Sequence, residues 1–408
     1  MAPPRRLLPA ALFVALALVV AVGPGVVGAA GADVAALGPT DAAVDQRTNT
    51  TGQASPDSVT QRGYARADVD VAGAVSVGAA RLEGRHEALT FTTRLDRAET
   101  DDERASAVNA TLDDVRANLD RLDARHAQLV AAHGEGALTD DAFLRRLAVI
   151  EAAADRQRTL LGEADTRTRA AGLTSLPVSV QTRIARLQAD TVVLPNPVAE
   201  RTVRAVGGTG PARTLYVESG ATGLVTATVA DGTHHRVATL RDQRRPDAPD
   251  QFGADVGVAF ERAEELYPWL FENAIGSPSA RGFGFTSVYL IQASHPQGEF
   301  RAYIDGATRT TFHEIQSKEP EAVPLTGNRT AVGDDLAVRV ETTYPGGPMR
   351  VTVTRPNTGL GSEAAVRVNG QRVGTTGPGG TLVTVQPAGG FTVNATVPGA
   401  SGVEVDGP

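Results

Sequence analysis

Two long stripes of apolar residues, each repeating in steps of three and four, constrain the fold of this sequence most strongly. Such a repeat places its members on one face of an α-helix. The stripes are Ala105, Val108, Leu112, Val115, Leu119, Leu122, His126 and Leu129, followed by Phe143, Leu147, Ile150, Ala154, Gln157, Leu161 and Ala164. Between them, His133-Gly134-Glu135-Gly136 predicts a helix end and a turn, and Thr139-Asp140-Asp141 predicts the cap of the next helix. The sequence therefore predicts an antiparallel helical hairpin.

The hairpin needs a partner, because two such stripes alone would leave much apolar surface in water. A preceding segment supplies a candidate third helix, with the apolar residues Val75, Leu82, Leu89 and Leu95. A short helix around Val178 to Ala189 follows the hairpin. We expect residues 67–205 to form a three-helix bundle or a long coiled coil.

Residues 206–318 change to a mixed pattern that predicts an α+β domain. Strand-like runs with tight turns precede one amphipathic segment, and three more strand-like runs follow it. In order, the predicted elements are Leu215–Val217, Leu224–Val229, Arg236–Leu240, the helix Ala254–Glu272, Phe285–Ala293, Glu299–Ile304 and Thr310–Ile315. We expect an antiparallel sheet with one helix on one face.

Residues 319–408 read as short strands with glycine-rich turns. Asn369-Gly370 is a strong hairpin signal, and Gly377-Pro378-Gly379-Gly380 predicts a second tight turn. This spacing suits a small β-sandwich. The fold class is therefore multidomain: α, then α+β, then all-β.

The first 32 residues carry the features of an export signal. Arg5 and Arg6 precede an uncharged run from Leu7 to Val22, whose 16 residues are fewer than the about 20 that usually cross a bilayer. Ala30-Gly31-Ala32 matches a cleavage pattern. We expect residues 1–32 to be a signal peptide, with an uncleaved anchor as the alternative that would contact the membrane. Either the general secretory route or the twin-arginine route remains open.

The segment that follows, residues 33–66, is rich in small and polar residues and has little periodicity. This composition predicts a flexible linker. The export signal and the linker together predict that the folded part is secreted or associated with the cell surface.

Two sequence features agree with an external location. The chain has no cysteine, which excludes disulfides, thiolate metal sites and cysteine nucleophiles. Four N-glycosylation sequons begin at Asn49, Asn109, Asn328 and Asn394. We take these four asparagines as glycosylation candidates.

The charge pattern argues against a nucleic-acid partner. The formal net charge is −8 and aromatic residues make up 4% of the chain, so neither a basic stripe nor a base-stacking surface is expected. Lys318 is the only lysine among 39 lysine and arginine residues. That bias, with more aspartate than glutamate, is typical of a salt-adapted archaeal host.

The module order and composition resemble an uncharacterised family of haloarchaeal exported proteins. The middle segment is similar to PepSY-type modules, in which a helix precedes strands that end in a characteristic turn; here Phe300-Arg301-Ala302-Tyr303-Ile304-Asp305-Gly306-Ala307-Thr308 stands in that place. The sequence departs from that pattern at Arg309, where glycine is usual. Since some PepSY proteins inhibit or accompany peptidases, the resemblance implies a regulatory role.

The C-terminal segment resembles carboxypeptidase-regulatory-like and immunoglobulin-like sandwiches of surface proteins. Val366 to Thr376, followed by Gly379-Gly380-Thr381-Leu382, carries that likeness. Such modules act as spacers or adhesive domains, so the resemblance implies no chemistry of its own.

Metal-binding and catalytic motifs are incomplete throughout the sequence. His86-Glu87 and His313-Glu314 begin like the zinc helix H-E-x-x-H but lack its second histidine. His234-His235, with His295 and His313, is the densest histidine group, yet neighbours in a strand point to opposite faces. The stretch from Asp68 to Gly73 resembles the start of a calcium loop without its later ligands. No metal site, cofactor site or catalytic residue is therefore predicted.

Two smaller features have more than one reading. His86 and His126 either face the bundle core as a pH sensor or lie at its edge with their rings in water. The aromatic residues of Tyr267–Phe271 and Phe283–Phe285 either pack in the core or line a peptide groove. The simpler reading is the edge position for the two histidines and core packing for the aromatic residues.

Three functions fit the sequence. The first is a non-enzymatic envelope protein for binding, display or scaffolding, with a cell-surface protein or peptide as partner. The second is a regulator or chaperone of secreted peptidases that acts through residues 211–318. The third is an enzyme of unknown type, for which only the fold would speak.

Overall fold

The computed structural model describes residues 44–170, 178–192, 196–284 and 286–407. The expected signal peptide, the first part of the expected linker (residues 33–43) and Phe285 lie outside these ranges. The described helices are α1 (Val71–Arg97), α2 (Asp101–Gly134), α3 (Asp140–Ala170), α4 (Val178–Asp190), α5 (Pro197–Val206), α6 (Val256–Leu266) and α7 (Pro268–Glu272). None of the helices in these ranges is both long and apolar enough to span a bilayer.

Helices α1 to α3 are set by local capping signals and pack against one another. The Asp70 side chain accepts from Gly73 N at the start of α1. Thr100 and Glu103 form a reciprocal capping box at the start of α2. Helices α2 and α3 run antiparallel, with Asn118 Nδ2 donating to Gln157 Oε1 at 3.3 Å. The apolar stripes of both helices lie in the cores that these helices form with α1, α4, α5 and the sheet.

The predicted inward face of α1 is wrong at three of four positions. Val75, Leu82 and Leu89 are exposed, at 67%, 68% and 66%. The buried residues of α1 are Gly73, Val77, Ala80, Phe91 and Leu95. Small residues bring α1 close to α3, because a Cβ on Gly84 would meet Arg156 Cγ at 2.2 Å. Close approach, rather than the longer apolar stripe, thus decides which face of α1 turns inward.

An eight-stranded antiparallel sheet forms the centre of the molecule, in the order β1-β2-β3-β4-β8-β7-β6-β5. Its strands are β1 (Gln61–Ala67), β2 (Arg213–Ser219), β3 (Gly223–Ala230), β4 (Thr233–Leu240), β5 (Ser279–Gly282), β6 (Val288–His295), β7 (Gly298–Asp305) and β8 (Thr310–Lys318). Strand β1 pairs with β2, with Gln61 opposite Ser219. Residues 44–66, expected to belong to a flexible linker, are therefore part of the folded core. Main-chain pairing and burial override their polar composition.

Alternation along the strands gives the sheet two different faces. On one face, which we call the helical face, Leu215, Val217, Leu224 and Val237 pack against α2, α3 and α5. The opposite face carries α6 and α7 over β6 and β7, and a C-terminal domain over Tyr64, Tyr216 and Ala227. Between them, residues 44–56 cross β4 and β8.

The helix expected at Ala254–Glu272 is divided into α6 and α7. Helix α6 ends at Leu266, and Pro268 begins α7. Proline lacks a backbone donor and restricts the residue before it, and Tyr267 accordingly has φ −133° and ψ 55°. The sheet therefore carries two helices on this face instead of one.

The C-terminal domain is a β-sandwich of two four-stranded sheets, ordered β14-β11-β10-β9 and β13-β12-β15-β16. The strands are β9 (Gly327–Val332), β10 (Ala337–Thr342), β11 (Pro348–Thr354), β12 (Ala365–Val368), β13 (Gln371–Thr375), β14 (Thr381–Val385), β15 (Thr392–Thr396) and β16 (Val403–Asp406). Asn369 and Gly370, at the turn between β12 and β13, have φ of 49° and 77°, as a type I′ hairpin requires.

Candidate functional site

A cavity of about 650 Å³ lies between α2, α3, α4 and α5 and the helical face of the sheet. We call it the helix–sheet cavity. Its volume falls within the about 300–1,000 Å³ that is typical of small-molecule sites. Apolar side chains form much of its wall, among them Leu122, Leu147, Ile150, Leu215, Leu224 and Val237. The cavity exists because helices and sheet meet there without filling the space between them.

Glu151 on α3 brings a carboxyl group to this apolar wall. Its side chain is buried, at 9% exposure, and has no hydrogen-bond partner among the described residues. Burial, together with the nearby charge of Asp155, raises the pKa of Glu151 to about 8. At neutral pH the group is therefore largely a neutral acid that faces the cavity.

His126 on α2 also lines the cavity and is partly buried. Burial and the charge of Arg241 lower the pKa of His126 to about 4, against an opposing effect of Asp123. A neutral imidazole is thus present at physiological pH. His86, in contrast, is exposed on α1, so the two histidines do not share a core position.

Most of the arginines that line the cavity are already paired. Arg241 makes a two-point contact with Asp123, and this pairing lowers the pKa of the aspartate. Arg244 Nη2 lies 2.5 Å from Asp190 Oδ1. Arg116 Nε lies 3.2 Å from Asp120 Oδ1, and Arg186 is exposed. These ion pairs line the cavity. Because they are partly exposed, each contributes little to the stability of the fold.

A second polar assembly lies on the opposite face of the sheet, around Lys318 at the end of β8. We call it the Lys318 junction. The Lys318 side chain is fully buried and its Nζ donates to Thr50 Oγ1 at 2.6 Å and Tyr344 Oη at 3.0 Å. Burial lowers the pKa of Lys318 to about 7, against an opposing effect of Glu314. One amine thereby joins the N-terminal segment, the sheet and the β10–β11 loop of the sandwich.

Glutamine side chains extend this junction along residues 44–56. Gln297 Nε2 donates to Asn49 O at 2.7 Å, and its Oε1 accepts from Thr50 Oγ1 at 2.5 Å. Gln316 Nε2 donates to Gly52 O at 2.8 Å. Side chains of the sheet thus satisfy backbone groups of a segment that has little regular structure, as burial demands.

A buried ion pair completes the attachment. Arg236 Nη1 lies 3.1 Å from Glu314 Oε1, and both side chains are almost fully buried. Both backbone groups of Ala54 are bonded to this pair: Ala54 N donates to Glu314 Oε2 at 2.9 Å, and Ala54 O accepts from Arg236 Nη2 at 2.8 Å. Tyr267 Oη also donates to Glu314, at 2.8 Å. The ion pair therefore satisfies the backbone N–H and C=O groups of Ala54, as a neighbouring strand would.

The histidine group of the sheet is divided between its two faces. His234 Nε2 contacts Gly346 O at 3.0 Å, whereas His235 Nδ1 contacts Ser317 Oγ at 2.9 Å. His313 Nδ1 contacts Thr239 Oγ1 at 3.0 Å. Burial lowers the pKa of His234 and His313 to about 3, and that of His235 and His295 to about 4. Within the described ranges, no three His, Asp or Glu side chains are grouped as metal ligands.

The glycosylation candidates differ in accessibility. Asn49 and Asn328 are exposed, whereas Asn109 and Asn394 are partly buried. Thr51, the third residue of the first sequon, is fully buried. Of the two exposed acceptors, Asn328 in β9 is therefore the one whose whole sequon is exposed.

The predicted aromatic groups take part in packing. Tyr267 and Leu270 are fully buried, and the Trp269 and His295 rings meet edge-on at 5.5 Å. Phe283 lies 6.3 Å from Tyr303, measured between ring centroids. These contacts fill the spaces around β6 and β7.

The sequence patterns did not identify Glu151 or the buried role of Lys318. A signal existed for both. Glu151 follows Leu147 by four residues, which places it beside the apolar stripe of α3. Lys318, Gln316 and Glu314 alternate along β8, so they share one face of a central strand.

Three family models match the chain. The model described as a domain of unknown function (DUF7096) matches residues 1–210, which is more than half of the chain. The chain belongs to the DUF7096 family. Beyond the DUF7096 region, a family of unknown function (DUF7094) matches residues 215–324, and an archaeal fibronectin-III type-like domain matches residues 327–403. No curated protein and no solved structure matches this DUF7096 member.

These matches agree with two expectations from the sequence. An archaeal, uncharacterised family is confirmed, and so is a C-terminal β-sandwich, where the fibronectin-III type-like match falls. The helix–sheet cavity is lined by residues from both the DUF7096 region and the DUF7094 region. The Lys318 junction joins these two regions to Tyr344 of the sandwich.

Proposed function

We propose that this chain is a non-enzymatic, extracytoplasmic binding protein that takes up a small molecule in the helix–sheet cavity. The observation that carries the proposal is the cavity itself: about 650 Å³, lined by apolar and polar side chains in similar number, with Glu151 and His126 on its wall. A pocket of this volume, with an apolar part that holds a ligand and polar groups that orient it, is the usual form of a small-molecule site.

Binding is favoured over catalysis by the state of the two polar groups. In the nucleophile–base pairs of enzymes, a third group usually orients the base by a hydrogen bond. Glu151 and His126 have no hydrogen-bond partner among the described residues, so no such group accompanies either side chain there. Both groups are therefore available to pair with a ligand.

The proposed role in display is supported by the Lys318 junction. Lys318 and the Arg236–Glu314 pair attach residues 44–56 to the centre of the sheet. The sandwich is attached to the same sheet, since Arg62 Nη1 donates to Ala388 O at 2.8 Å and Ala388 N donates to Tyr216 Oη at 2.9 Å. A protein held at the cell surface by its N-terminal end would present both cavity and sandwich on one rigid frame.

The predicted coiled coil also belongs to the proposal. Val75, Leu82 and Leu89 recur every seven residues on α1 and are 66–68% exposed. A seven-residue apolar repeat is the pattern of a helix that pairs with another helix. We infer that α1 pairs with α1 of a second copy of this chain.

The peptidase-regulator role remains a second candidate because of one backbone feature. Arg309 stands where PepSY-type modules have glycine, and its φ of 58° lies in the left-handed region that favours glycine. The preceding turn is held by Asp305 Oδ1, which accepts from Ala307 N at 2.7 Å and Thr308 N at 3.1 Å. An exported peptidase of the same host that keeps its full rate with saturating protein present would exclude this role.

Binding is tested with N-phenyl-1-naphthylamine, a neutral apolar dye whose fluorescence rises in apolar sites. We expect the dye to bind the purified protein. Ala199→Leu places added volume in the cavity, since Ala199 is a buried lining residue, and is expected to weaken dye binding about tenfold. Ala124→Leu, at an exposed position of α2 that does not line the cavity, is the control and should bind like the wild type. No dye binding, or equal binding by Ala199→Leu, would reject the proposed function.

Export is tested separately in the native host by cell fractionation and N-terminal sequencing. We expect the protein outside the cytoplasmic membrane, with a mature chain that begins at Asp33. Recovery of cytosolic protein that still begins at Met1 would reject the extracytoplasmic location and leave the cavity unaffected.

A further inference from the structure

Glu151 is a mostly buried carboxyl group for which the described part of the chain supplies no hydrogen-bond partner. Its side chain is 9% exposed and lines the helix–sheet cavity. Its carboxyl oxygens are not among the fully buried polar atoms that have no partner, so they stay open to the cavity, where a donor group can pair with this mostly buried carboxyl. Within the described ranges no side chain or backbone group donates to Glu151, so the complementary donor is not supplied by this part of the chain.

The charge around Glu151 indicates that the missing group is positive. Among the described residues, four arginines line the cavity, and three of them pair with aspartates: Arg116 with Asp120, Arg241 with Asp123 and Arg244 with Asp190. The fourth, Arg186, is exposed. The charged neighbour that acts on Glu151 is Asp155, one turn along α3, and it acts in the same direction as burial. A cation entering the cavity would therefore be attracted, and an anion would be repelled.

We propose that the helix–sheet cavity binds an organic amine, whose ammonium group pairs with Glu151 and whose apolar body lies against the leucine, isoleucine and valine side chains of the wall. An ammonium group donates up to three hydrogen bonds. Its positive charge complements the negative charge of the Glu151 carboxylate. Of the aromatic side chains in the described ranges, Phe312 alone lines the cavity. A quaternary ammonium group would need an aromatic cage, so a primary or secondary amine fits better.

The pairing gives binding a characteristic pH dependence. Glu151 must lose its proton to form the ion pair, so amine affinity increases with pH up to the pKa of about 8 that burial gives the free protein. Well below that value the increase is about tenfold per pH unit. The other titratable or charged groups that line the cavity are Arg116, Asp120, Asp123 and His126 from α2, Arg186 and Asp190 from α4, and Arg241, Arg244, Asp247 and Asp250 after β4. His126, with a pKa of about 4, stays neutral from pH 6.5 to 8.5.

Displacement of N-phenyl-1-naphthylamine by three ligands of equal length tests the proposal. The ligands are hexylammonium, 1-hexanol and hexanoate, measured at pH 8.5 and 6.5. We expect the wild type to prefer hexylammonium over hexanol at least about tenfold at pH 8.5, which corresponds to about 1.4 kcal/mol. Hexanoate should bind most weakly. The preference for the amine should shrink markedly at pH 6.5, and hexanol affinity should stay constant.

Glu151→Gln removes the charge at nearly constant volume. This variant should still bind the dye, and its preference for hexylammonium over hexanol, taken as the ratio of the two affinities within that variant, should be lost. Asp141→Asn makes the same chemical change at an exposed position of the same helix and should retain the preference. Dye binding by Glu151→Gln also shows that the variant is folded.

Because the inference rests on the proposed binding function, the outcomes separate the two. Equal binding of the three ligands by the wild type, or a preference that persists in Glu151→Gln, overturns the amine site while the dye still reports a binding cavity. Absence of dye binding overturns both.

Discussion

Lys318 Nζ lies 2.6 Å from Thr50 Oγ1, so the only lysine of the chain ties the N-terminal segment to strand β8. Arginine, which the sequence otherwise prefers, has a guanidinium group that delocalises its charge and stays protonated when buried. Lysine can become a neutral amine at this site, because burial lowers its pKa to about 7. The single lysine of the chain thus lies at a position where burial disfavours a permanent charge.

Lys318→Met is expected to change how stability depends on pH. The unfolded chain binds a proton at Lys318 up to a pKa of about 10.4, whereas the folded protein releases it near 7. Between these values the unfolded state holds more protons, so the stability of the wild type rises with pH by up to about 1.4 kcal/mol per unit. The variant should lack this contribution. Urea unfolding at pH 6.5, 8 and 9.5 measures it, and parallel curves for the two proteins would contradict it.

Glu314→Gln should strongly destabilise the fold. The change leaves the Arg236 guanidinium buried without a counter-charge, which typically costs about 3–5 kcal/mol. The attachment of Ala54 weakens too, since Ala54 N donates to the Glu314 carboxylate. Glu321→Gln is the control, because Glu321 is 89% exposed and lies 3.5 Å from Arg350. Its urea midpoint should match the wild type; a similar loss in both variants would argue against the buried pair as the cause.

Two glycine-to-alanine changes should have opposite effects. A Cβ on Gly220 would lie 1.9 Å from Ser58 O, a backbone atom of the N-terminal segment, whereas a Cβ on Gly162 meets nothing within 4 Å. Gly220→Ala should therefore lower the melting temperature by separating residues around Ser58 from the β2–β3 turn. Gly162→Ala, within α3, should raise stability by about 1 kcal/mol through helix propensity. Stabilisation by Gly220→Ala would disprove the close contact.

Pairing of α1 between chains is tested by Leu82→Glu. Leu82 is 68% exposed, so the charge does not disturb the core of one chain, but it would be buried in a helix pair. We expect sedimentation equilibrium to show a dimer for the wild type and a monomer for this variant. Ser76→Glu, an exposed position of α1 outside the seven-residue stripe, should stay dimeric. A monomeric wild type would reject the pairing.

Local signals explain what the sequence could predict. The ends of α2 follow from the Thr100–Glu103 capping box and from Gly136, whose φ is 73°. The β3–β4 turn follows from Asp231 and Gly232, with φ of 54° and 80°. Each of these features depends on a few neighbouring residues. The sequence of one helix or one hairpin is therefore enough to predict where these elements begin and end.

Long-range pairing explains which features the sequence could not predict. Strand β1 joins β2 across about 150 residues, with Gln61 opposite Ser219, and neither segment announces the other. The inward face of α1 depends on contact with α3, so the apolar residues Val75 and Leu82 misled the prediction. The cavity arises from the packing of four helices on a sheet, and no local pattern encodes an unfilled space. Only the position of Glu151 beside an apolar stripe hinted at it.

Glu151→Gln should alter the pH dependence of stability in the direction opposite to Lys318→Met. In the unfolded chain a glutamate titrates at a pKa of about 4.3, whereas burial raises the pKa of Glu151 in the folded protein to about 8. Between these values the folded state holds the extra proton, so protonation stabilises the wild type and stability falls as pH rises from about 4.5 to 8. The slope reaches about 1.4 kcal/mol per pH unit, and glutamine removes it because an amide does not titrate. Urea unfolding of both proteins at pH 5, 6.5 and 8 should therefore show a difference that grows with pH in favour of the variant. A constant difference would mean that Glu151 is hydrated in the folded protein and titrates as an exposed carboxyl group does. Glu151 would then not be a buried acid in need of a hydrogen-bond partner.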